Sequence, residues 1–376
     1  TPQLTIDNNA PTLCPSEPTD IDINSVTADA VIELTGITIV PDAGGVTGFT
    51  AVNTTWDDAL GELPATIADN LVNGTDDIQS ITYEFEVTAN GFTAGTTETA
   101  VVTVNPTPTQ TITNTNTTIN SGEITDILIN TPTENGQVTL LTVSKTDPGL
   151  TGNTAAGASF ADGAKIEDIL TNSTNDPQTI TYEFQVRGNG CTTAATITAD
   201  VIVNPTPQLT VDNNAPTLCP SEPTDIDINS VTTDAVIELK SITISPDAGG
   251  VTGFTAAGTT WDEALGELPT IIADNLVNGT DDIQTITYEF EVTANGFTAG
   301  TTETAVVTVN PTPTQTITNT NTTINSGEIT DILINTPTEN GQVTLLTVSK
   351  TDPGLTGNTA AGASFSDGAK TVSYTH

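Results

Sequence analysis

Three cysteines, Cys14, Cys191 and Cys219, are the residues of this sequence best suited to covalent chemistry. Cys191 and Cys219 each lie 14 residues from Pro205, on opposite sides of it. Extended strands rise about 3.3 Å per residue and would hold these two cysteines tens of ångströms apart, whereas a disulfide needs Cα atoms within about 7 Å. An intrachain bridge would therefore require the chain to fold back on itself. We expect free, buried thiols, with a disulfide between staggered or laterally packed chains as the alternative.

Catalytic constellations are not evident in the sequence. The single histidine is His376, the last residue, so neither a Ser-His-Asp nor a Cys-His arrangement can be assembled, and a histidine-rich metal site is excluded. The glycine-rich stretch at 44–48 lacks the lysine and the helix of a phosphate-binding loop. The sequence therefore predicts a protein that is not an enzyme and has no organic cofactor.

Acidic residues dominate the charge, since 47 Asp and Glu against six Lys and Arg give a formal net charge of −41. The negative field of these residues repels nucleic acid and anionic membranes. We mainly expect the acidic side chains to lie on a solvated surface. A more specific hypothesis is that some of these acidic side chains bind Ca²⁺, which prefers carboxylate and carbonyl oxygens. The stretch Asp-Asn-Asn-Ala-Pro resembles part of the cadherin linkers, although the other acidic motifs of those linkers are missing. The candidate calcium ligands are Asp7, Asn9, Asp212 and Asn214.

Two tryptophans, Trp56 and Trp261, occupy equivalent positions in a short segment with helical character. Thr55 would cap a helix that Gly61 and Pro64 limit to one or two turns. We expect both tryptophans to lie in or near a hydrophobic core. The alternative is a platform for binding carbohydrate.

A strand that runs into Asn-Pro-Thr-Pro organises the chain. It occurs three times, as residues 101–108, 201–207 and 307–313. Proline cannot donate a sheet hydrogen bond and favours extended backbone before it, so each copy predicts a strand end and a domain boundary. The predicted domains are residues 1–106, 107–205, 206–311 and 312–376. Because the sequence has no methionine and opens on the second half of this motif, we expect it to be an internal piece of a longer protein.

The four predicted domains alternate between two types. Residues 1–165 and 206–370 differ at 12 positions, so the first and third domains (type A) and the second and fourth (type B) are near copies. Types A and B share only short motifs. Such an array suits a structural role better than an enzyme with one active site.

The fourth domain departs from its repeat after Lys370. Its last six residues align with residues 179–184 if 13 residues are deleted, and its final strand is missing. A sheet edge left open in this way would accept a strand from another molecule. The plainer interpretation is that the available sequence stops there.

Alternation of apolar and polar residues predicts β-strands in every domain. Ile81, Tyr83, Phe85 and Val87 would face a core, with the intervening threonine and glutamates facing outward. About seven short strands per 100 residues, separated by turn residues, are typical of an immunoglobulin-like sandwich. The predicted fold is all-β, an extended array of tandem immunoglobulin-like (PKD-like) β-sandwiches.

Several ordered motifs carry a family resemblance: Thr-Leu-Cys-Pro-Ser-Glu-Pro-Thr-Asp-Ile from residue 12, Ile-Thr-Tyr-Glu-Phe, Asn-Gly-Cys at 189–191, and the closing Val-Asn-Pro-Thr-Pro. Together they resemble the PKD-like repeats of very large Bacteroidetes surface proteins, including the SprB-type gliding-motility adhesins. The resemblance implies type IX secretion, an extracellular or cell-surface location and a role as stalk or adhesive surface. In such repeats the early cysteine and the Asn-Gly-Cys often occur together, whereas each repeat here keeps one of them.

The leading hypothesis is therefore a structural and adhesive repeat region of a bacterial surface protein. Its partners would be neighbouring repeats, other copies of the chain or surface glycans. One alternative is the subunit of a self-assembling extracellular filament, and a second is an array of carbohydrate-binding modules that uses Trp56 and Trp261. The sequence has no run of about 20 apolar residues, so we expect no membrane insertion.

Overall fold

β-Strands form the regular structure of residues 1–371, the part of the chain that the computed structural model describes, together with two 3-10 turns, Asp58–Leu60 and Glu263–Leu265. The chain divides into two compact units, Thr1–Asn204 and Pro205–His376. Each unit contains one A-type and one B-type repeat. The repeats are numbered 1 to 4 in chain order.

The first unit contains 21 strands. Those of repeat 1 are β1 (Thr5–Asn8), β2 (Thr12–Leu13), β3 (Ile21–Asn24), β4 (Ala30–Val40), β5 (Val46–Thr47), β6 (Thr55–Asp57), β7 (Ala65–Ile67), β8 (Val72–Asn73), β9 (Gln79–Ala89), β10 (Phe92–Thr93) and β11 (Glu98–Val104). Those of repeat 2 are β12 (Thr111–Asn114), β13 (Thr118–Asn120), β14 (Ile127–Asn130), β15 (Gly136–Lys145), β16 (Leu150–Thr151), β17 (Ser159–Phe160), β18 (Lys165–Ile166), β19 (Thr171–Asn172), β20 (Gln178–Gly188) and β21 (Cys191–Asn204).

The second unit continues the numbering. Repeat 3 contains β22 (Thr210–Asn213), β23 (Thr217–Leu218), β24 (Ile226–Asn229), β25 (Ala235–Ser245), β26 (Val251–Thr252), β27 (Thr260–Asp262), β28 (Thr270–Ile272), β29 (Val277–Asn278), β30 (Gln284–Ala294) and β31 (Phe297–Val309). The described part of repeat 4 contains β32 (Thr316–Asn319), β33 (Ile332–Asn335), β34 (Gln342–Thr344), β35 (Ser364–Ser366) and β36 (Ala369–Thr371).

Each of the first three repeats is a sandwich of two sheets with a separate two-stranded sheet, which is β5-β8, β16-β19 or β26-β29. In repeat 1 the sheet β1-β3-β7 faces the sheet β2-β11-β9-β4-β6, to which β10 adds by pairing with β9. The short strand β2 runs parallel to β11, and the other pairs in these two sheets are antiparallel. Repeats 2 and 3 have the same strand orders. This is the arrangement of an immunoglobulin-like sandwich, so the predicted fold class is confirmed.

The hydrophobic core of each sandwich is built on its long central strand. In β9 the side chains of Ile81, Tyr83, Phe85 and Val87 are fully buried, and the residues between them are half-buried. The predicted alternation is therefore confirmed. The side chains on the outer face of β9 are only partly exposed, because the neighbouring strands β4 and β11 pair with β9 on its two sides. Repeats 2 and 3 have separate cores built in the same way on β20 and β30.

The predicted short helix is a single 3-10 turn. Asp57 caps it by accepting a hydrogen bond from the Ala59 N–H at 2.8 Å, and Gly61 ends it in the left-handed conformation at φ 74°. The expectation that Thr55 would cap a helix is wrong. Thr55 is paired with Glu33 in the sheet as the first residue of β6, so the turn begins two residues later.

Repeat 4 keeps only part of the sandwich within the described residues. Its sheets are β32-β33-β36 and β34-β35. Thr371 pairs with Ile332 as Ile166 pairs with Ile127, so Thr371 takes the position of Ile166. The predicted alignment of residues 371–376 with residues 179–184 is therefore wrong at Thr371, and its remainder lies outside the described residues.

A buried polar tie joins the two sheets of each complete sandwich. The Tyr83 hydroxyl donates to the Asp69 carboxylate at 2.8 Å, and the Thr50 N–H and hydroxyl donate to the same carboxylate at 2.7 Å each. The Asp69 N–H in turn donates to the Thr19 hydroxyl, which donates to the Ile67 carbonyl. Tyr182 with Asp168 and Tyr288 with Asp274 repeat this arrangement in the next two repeats.

Burial raises the pKa of the Tyr83 phenol well above its ordinary value of about 10. The hydrogen bond to Asp69 and the negative charge of that carboxylate raise this pKa further. The same causes raise the pKa values of Tyr182 and Tyr288. The polar tie therefore favours a neutral tyrosine, whose hydroxyl donates a hydrogen bond to the carboxylate.

We expect Tyr83→Phe to lower the free energy of unfolding of repeat 1 by about 1.5–3 kcal/mol, because a hydrogen bond to a charged group is lost in a buried setting. The variant should be made in a Trp261→Phe background, so that Trp56, which packs against Phe85, is the only tryptophan and reports on repeat 1. Denaturant unfolding followed by Trp56 fluorescence measures the change. A shift no larger than that of an exposed Thr→Val control would contradict a stabilising tie.

Alkaline pH should destabilise the parent chain more than the Tyr83→Phe variant. Unfolded tyrosine loses its proton near pH 10, whereas the folded phenol keeps it. Unfolding above about pH 10 therefore releases a proton, and the free energy of unfolding falls as pH rises from there. Unfolding curves of both proteins between pH 8 and pH 11, followed by Trp56 fluorescence, test this. Parallel pH profiles would show that Tyr83 is not responsible.

Candidate functional site at the junction between repeats

The most distinctive chemical feature of the chain is a disulfide between Cys14 of repeat 1 and Cys191 of repeat 2, with Cα atoms 5.5 Å apart. The expectation of free thiols or of a bridge between chains is therefore wrong for these two cysteines. They are 177 residues apart in sequence and lie in different repeats, and the repeats need not fold back to join them.

Strand direction explains how these cysteines meet. Because β2 runs parallel to β11, Cys14 lies at the end of repeat 1 from which the chain leaves, beside Asn105, whose N–H donates to the Leu13 carbonyl. In repeat 2, β20 and β21 form a hairpin that turns at Asn189 and Gly190, where Gly188 pairs with Cys191. This turn points back towards the end at which the chain enters. The Asn-Gly turn before Cys191 is a sequence signal for such a hairpin tip, but the pairing with Cys14 depends on the direction of strands in two different repeats.

A pair of hydrogen bonds reinforces the junction. The Glu134 N–H of repeat 2 donates to the Asp76 carbonyl of repeat 1 at 2.7 Å, and the Glu134 carboxylate accepts the Ile78 N–H at 2.8 Å. The Glu134 carbonyl also accepts a hydrogen bond from the Asn189 side chain at 3.0 Å. One residue therefore links the loop of repeat 1 to the hairpin that carries Cys191.

The prolines of the connecting motif belong to the same junction. Pro106 and Pro108 are buried, and a β-carbon added at Gly188 would lie 3.7 Å from Pro108 Cγ and 2.9 Å from the Thr133 methyl. The hairpin thus packs closely over the connector. The connector is part of a packed interface and not only a spacer.

Repeats 3 and 4 meet through the same hydrogen bonds. The Glu339 N–H donates to the Asp281 carbonyl at 2.6 Å, and its carboxylate accepts the Ile283 N–H at 2.8 Å. Cys219 is a free, exposed thiol, so the expectation of a free thiol holds for this cysteine, though it is not buried. The described part of repeat 4 has no cysteine to pair with it.

The two tryptophans pack against the cores, as predicted. Trp56 and Trp261 are half-buried, and their rings lie 6.4 Å from those of Phe85 and Phe290. No observation in the structure favours a carbohydrate platform at these rings, and glycan binding stays a prediction.

The calcium candidates are exposed residues in or directly after the first strand of each A-type repeat. Asp7 lies opposite Asp22 in the β1–β3 register, and the Asn9 amide donates to the Asp22 carboxylate at 3.0 Å. Asp212 and Asn214 are placed in the same way beside Asp227. Within residues 1–371, no group of three or more His, Cys, Asp and Glu side chains is arranged to hold a metal ion. The calcium hypothesis stays a prediction without support from this geometry.

Comparison with known proteins finds similarity of fold alone. No protein-family model and no curated protein matches the sequence. Among solved structures, the chain is similar to a three-domain immunoglobulin fragment of titin, with 13% identity, a TM-score of 0.43 and coverage of 83% of this chain and 98% of that one. It is also similar to the Escherichia coli adhesin FdeC (16% identity, TM-score 0.35, coverage 81% and 96%) and to invasin, a bacterial integrin-binding protein (14%, 0.29, 99% and 74%). At these values the comparisons assign no function to the chain.

None of the helical segments in residues 1–371 is long and apolar enough to cross a bilayer.

We expect Glu339→Ala to speed amide hydrogen exchange at Ile283 roughly fivefold, because an exposed hydrogen bond to a carboxylate contributes about 1 kcal/mol. The matched variant Glu134→Ala should speed exchange at Ile78 less, since the disulfide still holds that junction closed. Adding Cys191→Ser to Glu134→Ala should remove the difference. Equal effects of the two glutamate variants with the disulfide intact would contradict the view that the disulfide clamps the junction.

Proposed function

We propose that this chain is a non-catalytic, tension-bearing repeat region of a large bacterial surface protein, acting as a stalk or adhesive surface. The observation that carries the proposal is the disulfide between Cys14 and Cys191, which joins two successive repeats across their connector. A disulfide in this position determines which part of the chain carries an applied force.

Force applied to the two ends of the first unit has a short covalent path. It runs from residue 1 to Cys14, crosses the disulfide to Cys191 and continues along β21 to Asn204. The residues between the two cysteines contain the central strands β9 and β20 and the polar ties, and they lie outside this path. Tension can therefore extend only the segments before Cys14 and after Cys191, which contain β1, β2 and β21, while the part of the chain between the two cysteines carries no load.

Several features support an extracellular setting for this role. Disulfides persist mainly in oxidising compartments, including the bacterial cell surface. The formal charge of −41 favours solubility and keeps modules from collapsing onto one another. The motif resemblance to PKD-like repeats of Bacteroidetes surface proteins, including SprB-type gliding-motility adhesins, supports type IX secretion and an adhesive role in the same proposal.

Single-molecule pulling of the full chain from its ends tests the mechanical role. In the oxidised chain, unfolding should release about 600 Å less contour length than in Cys191→Ser, because the disulfide spans a sequence separation of 177 and each residue step contributes about 3.5 Å. The unfolding steps of the second unit have no such bridge and serve as an internal control.

Release of the full contour length from the oxidised chain would contradict the proposal. Electron microscopy of the same samples, with and without reductant, separates the stalk from the filament alternative. Isolated rods in both conditions support a stalk, whereas long ordered fibres would make the chain a polymer subunit.

A further inference from the structure

The outer face of the larger sheet in repeat 1 contains three glutamates. Glu33 of β4 pairs directly with Glu86 of β9, and Glu84 lies on the same face opposite Gly36. All three glutamates are half-buried. Like charges that face each other across a strand pair are destabilising, because the two carboxylates repel one another. This face therefore has an excess of negative charge that a cation relieves.

Repeat 3 has a cation at the same place. The corresponding glutamates are Glu238, Glu289 and Glu291, and Lys240 takes the position of Thr35. The Lys240 Nζ atom lies 2.8 Å from the Glu291 carboxylate and 3.8 Å from that of Glu238. The hydrogen bond to Glu291 raises the pKa of the Lys240 ammonium, and the charges of both glutamates raise this pKa further. The acidic face of an A-type repeat therefore holds an ammonium group.

The third glutamate of repeat 3 also has partners. The Glu289 carboxylate accepts a hydrogen bond from the Ser241 hydroxyl at 2.6 Å and another from the Thr302 hydroxyl at 3.2 Å. Repeat 1 has Gly36 at the position of Ser241 and so has no hydroxyl there. A β-carbon added at Gly36 would lie 2.7 Å from Glu84 Oε2, which shows that this carboxylate lies directly over the glycine.

The three carboxylates of repeat 1 lack such partners. Thr35 is exposed, and its hydroxyl donates to the backbone carbonyl of Glu84 at 3.1 Å and not to a carboxylate. Within residues 1–371, no ion pair or side-chain hydrogen bond reaches the carboxylates of Glu33, Glu84 and Glu86. The two near copies therefore share the acidic groups and differ in whether the chain supplies its own cation.

We propose that Glu33, Glu84 and Glu86 form a binding site for the lysine side chain of a partner protein. The ammonium group of that lysine takes the place that Lys240 Nζ has in repeat 3. The inference rests on the adhesive role proposed above and gives that role a partner of defined chemistry.

Charge favours a basic partner over a second copy of this chain. The sequence has 47 Asp and Glu against six Lys and Arg, so two copies repel one another. Two of its lysines, Lys165 and Lys370, are already paired with Asp126 and Asp331 of their own repeats. A positively charged protein is instead attracted by the same field, and the site then holds one of its lysines.

Coupling with a water-soluble carbodiimide tests the site on the full chain. The probe is the peptide Gly-Lys-Gly, acetylated and amidated at its ends so that the lysine side chain is its only amine. The carbodiimide activates a carboxylate, the lysine amine displaces it as a urea, and an amide bond forms where the two groups lie close together. Mass spectrometry after proteolysis locates the amide. Peptides from β9 and β30 differ in mass because Ser80 corresponds to Thr285.

In the parent chain, we expect coupling at the three glutamates of repeat 1 to exceed coupling at their counterparts in repeat 3 roughly fivefold, because an ion pair near the surface is a weak interaction. The excess should disappear at high salt, which screens exposed charges. Equal coupling in the two repeats at low salt would overturn the proposal.

Two exchange variants use the near-identity of the repeats. Thr35→Lys gives repeat 1 its own ammonium group and should reduce coupling there to the level of repeat 3. Lys240→Thr removes the ammonium group of repeat 3 and should raise coupling at its glutamates to the level of repeat 1. The fluorescence of Trp56 and Trp261 shows that both repeats stay folded. If neither variant changes the coupling in folded repeats, the proposal is wrong.

The same assay distinguishes other occupants. Suppression of coupling in repeat 1 by millimolar Ca²⁺, at constant ionic strength, would contradict the proposal in favour of a metal ion. Coupling of these glutamates to a lysine of a second copy, without peptide, would contradict it in favour of self-association. We expect neither result. The pulling experiment does not depend on these glutamates, so failure of the site and failure of the mechanical role are separate outcomes.

Discussion

The burial of one face of a single long strand holds each sandwich together. β9, β20 and β30 lie at the centre of the larger sheet and place isoleucine, tyrosine, phenylalanine and valine side chains in the core. Each such side chain contributes about 1.5–3 kcal/mol when it leaves water. The same tyrosine reaches the aspartate of the polar tie, so one strand supplies both the apolar core and the hydrogen bonds between the sheets.

The junction depends on a second constraint, the direction of two strands. The parallel pairing of β2 with β11 brings an early residue of an A-type repeat to the exit of that repeat, and the β20–β21 hairpin brings a late residue of a B-type repeat to its entrance. A disulfide can then join residues that are 177 positions apart in the sequence. The covalent link and the hydrogen bonds of Glu134 join repeats 1 and 2, whereas the corresponding bonds of Glu339 join repeats 3 and 4 without a disulfide.

Near-identical repeats allow the chain to be compared with itself. The loops of Cys14 and Cys219 have the same hydrogen bonds, and so do Glu134 and Glu339. The difference at the two junctions is the β20–β21 hairpin, which has no counterpart among the described residues of the second unit. Where the hairpin is present, the connector proline is buried and the cysteine is bonded. At the junction of repeats 3 and 4, Pro313 and the Cys219 thiol are exposed within the described part of the chain.

The sequence by itself determined the fold class, the alternating faces of β9 and the position of Trp56 near the core, because these depend on local patterns of side-chain polarity that a strand displays with a period of two residues. It also showed a 205-residue repeat and the proline connectors. Only the tertiary structure decided the disulfide partners, the polar tie of Tyr83 with Asp69, and the strand start at Thr55 that displaced the expected cap. Each of these depends on which strands become neighbours and in which direction they run. That information lies in contacts between residues far apart in the chain and not in the spacing between adjacent ones.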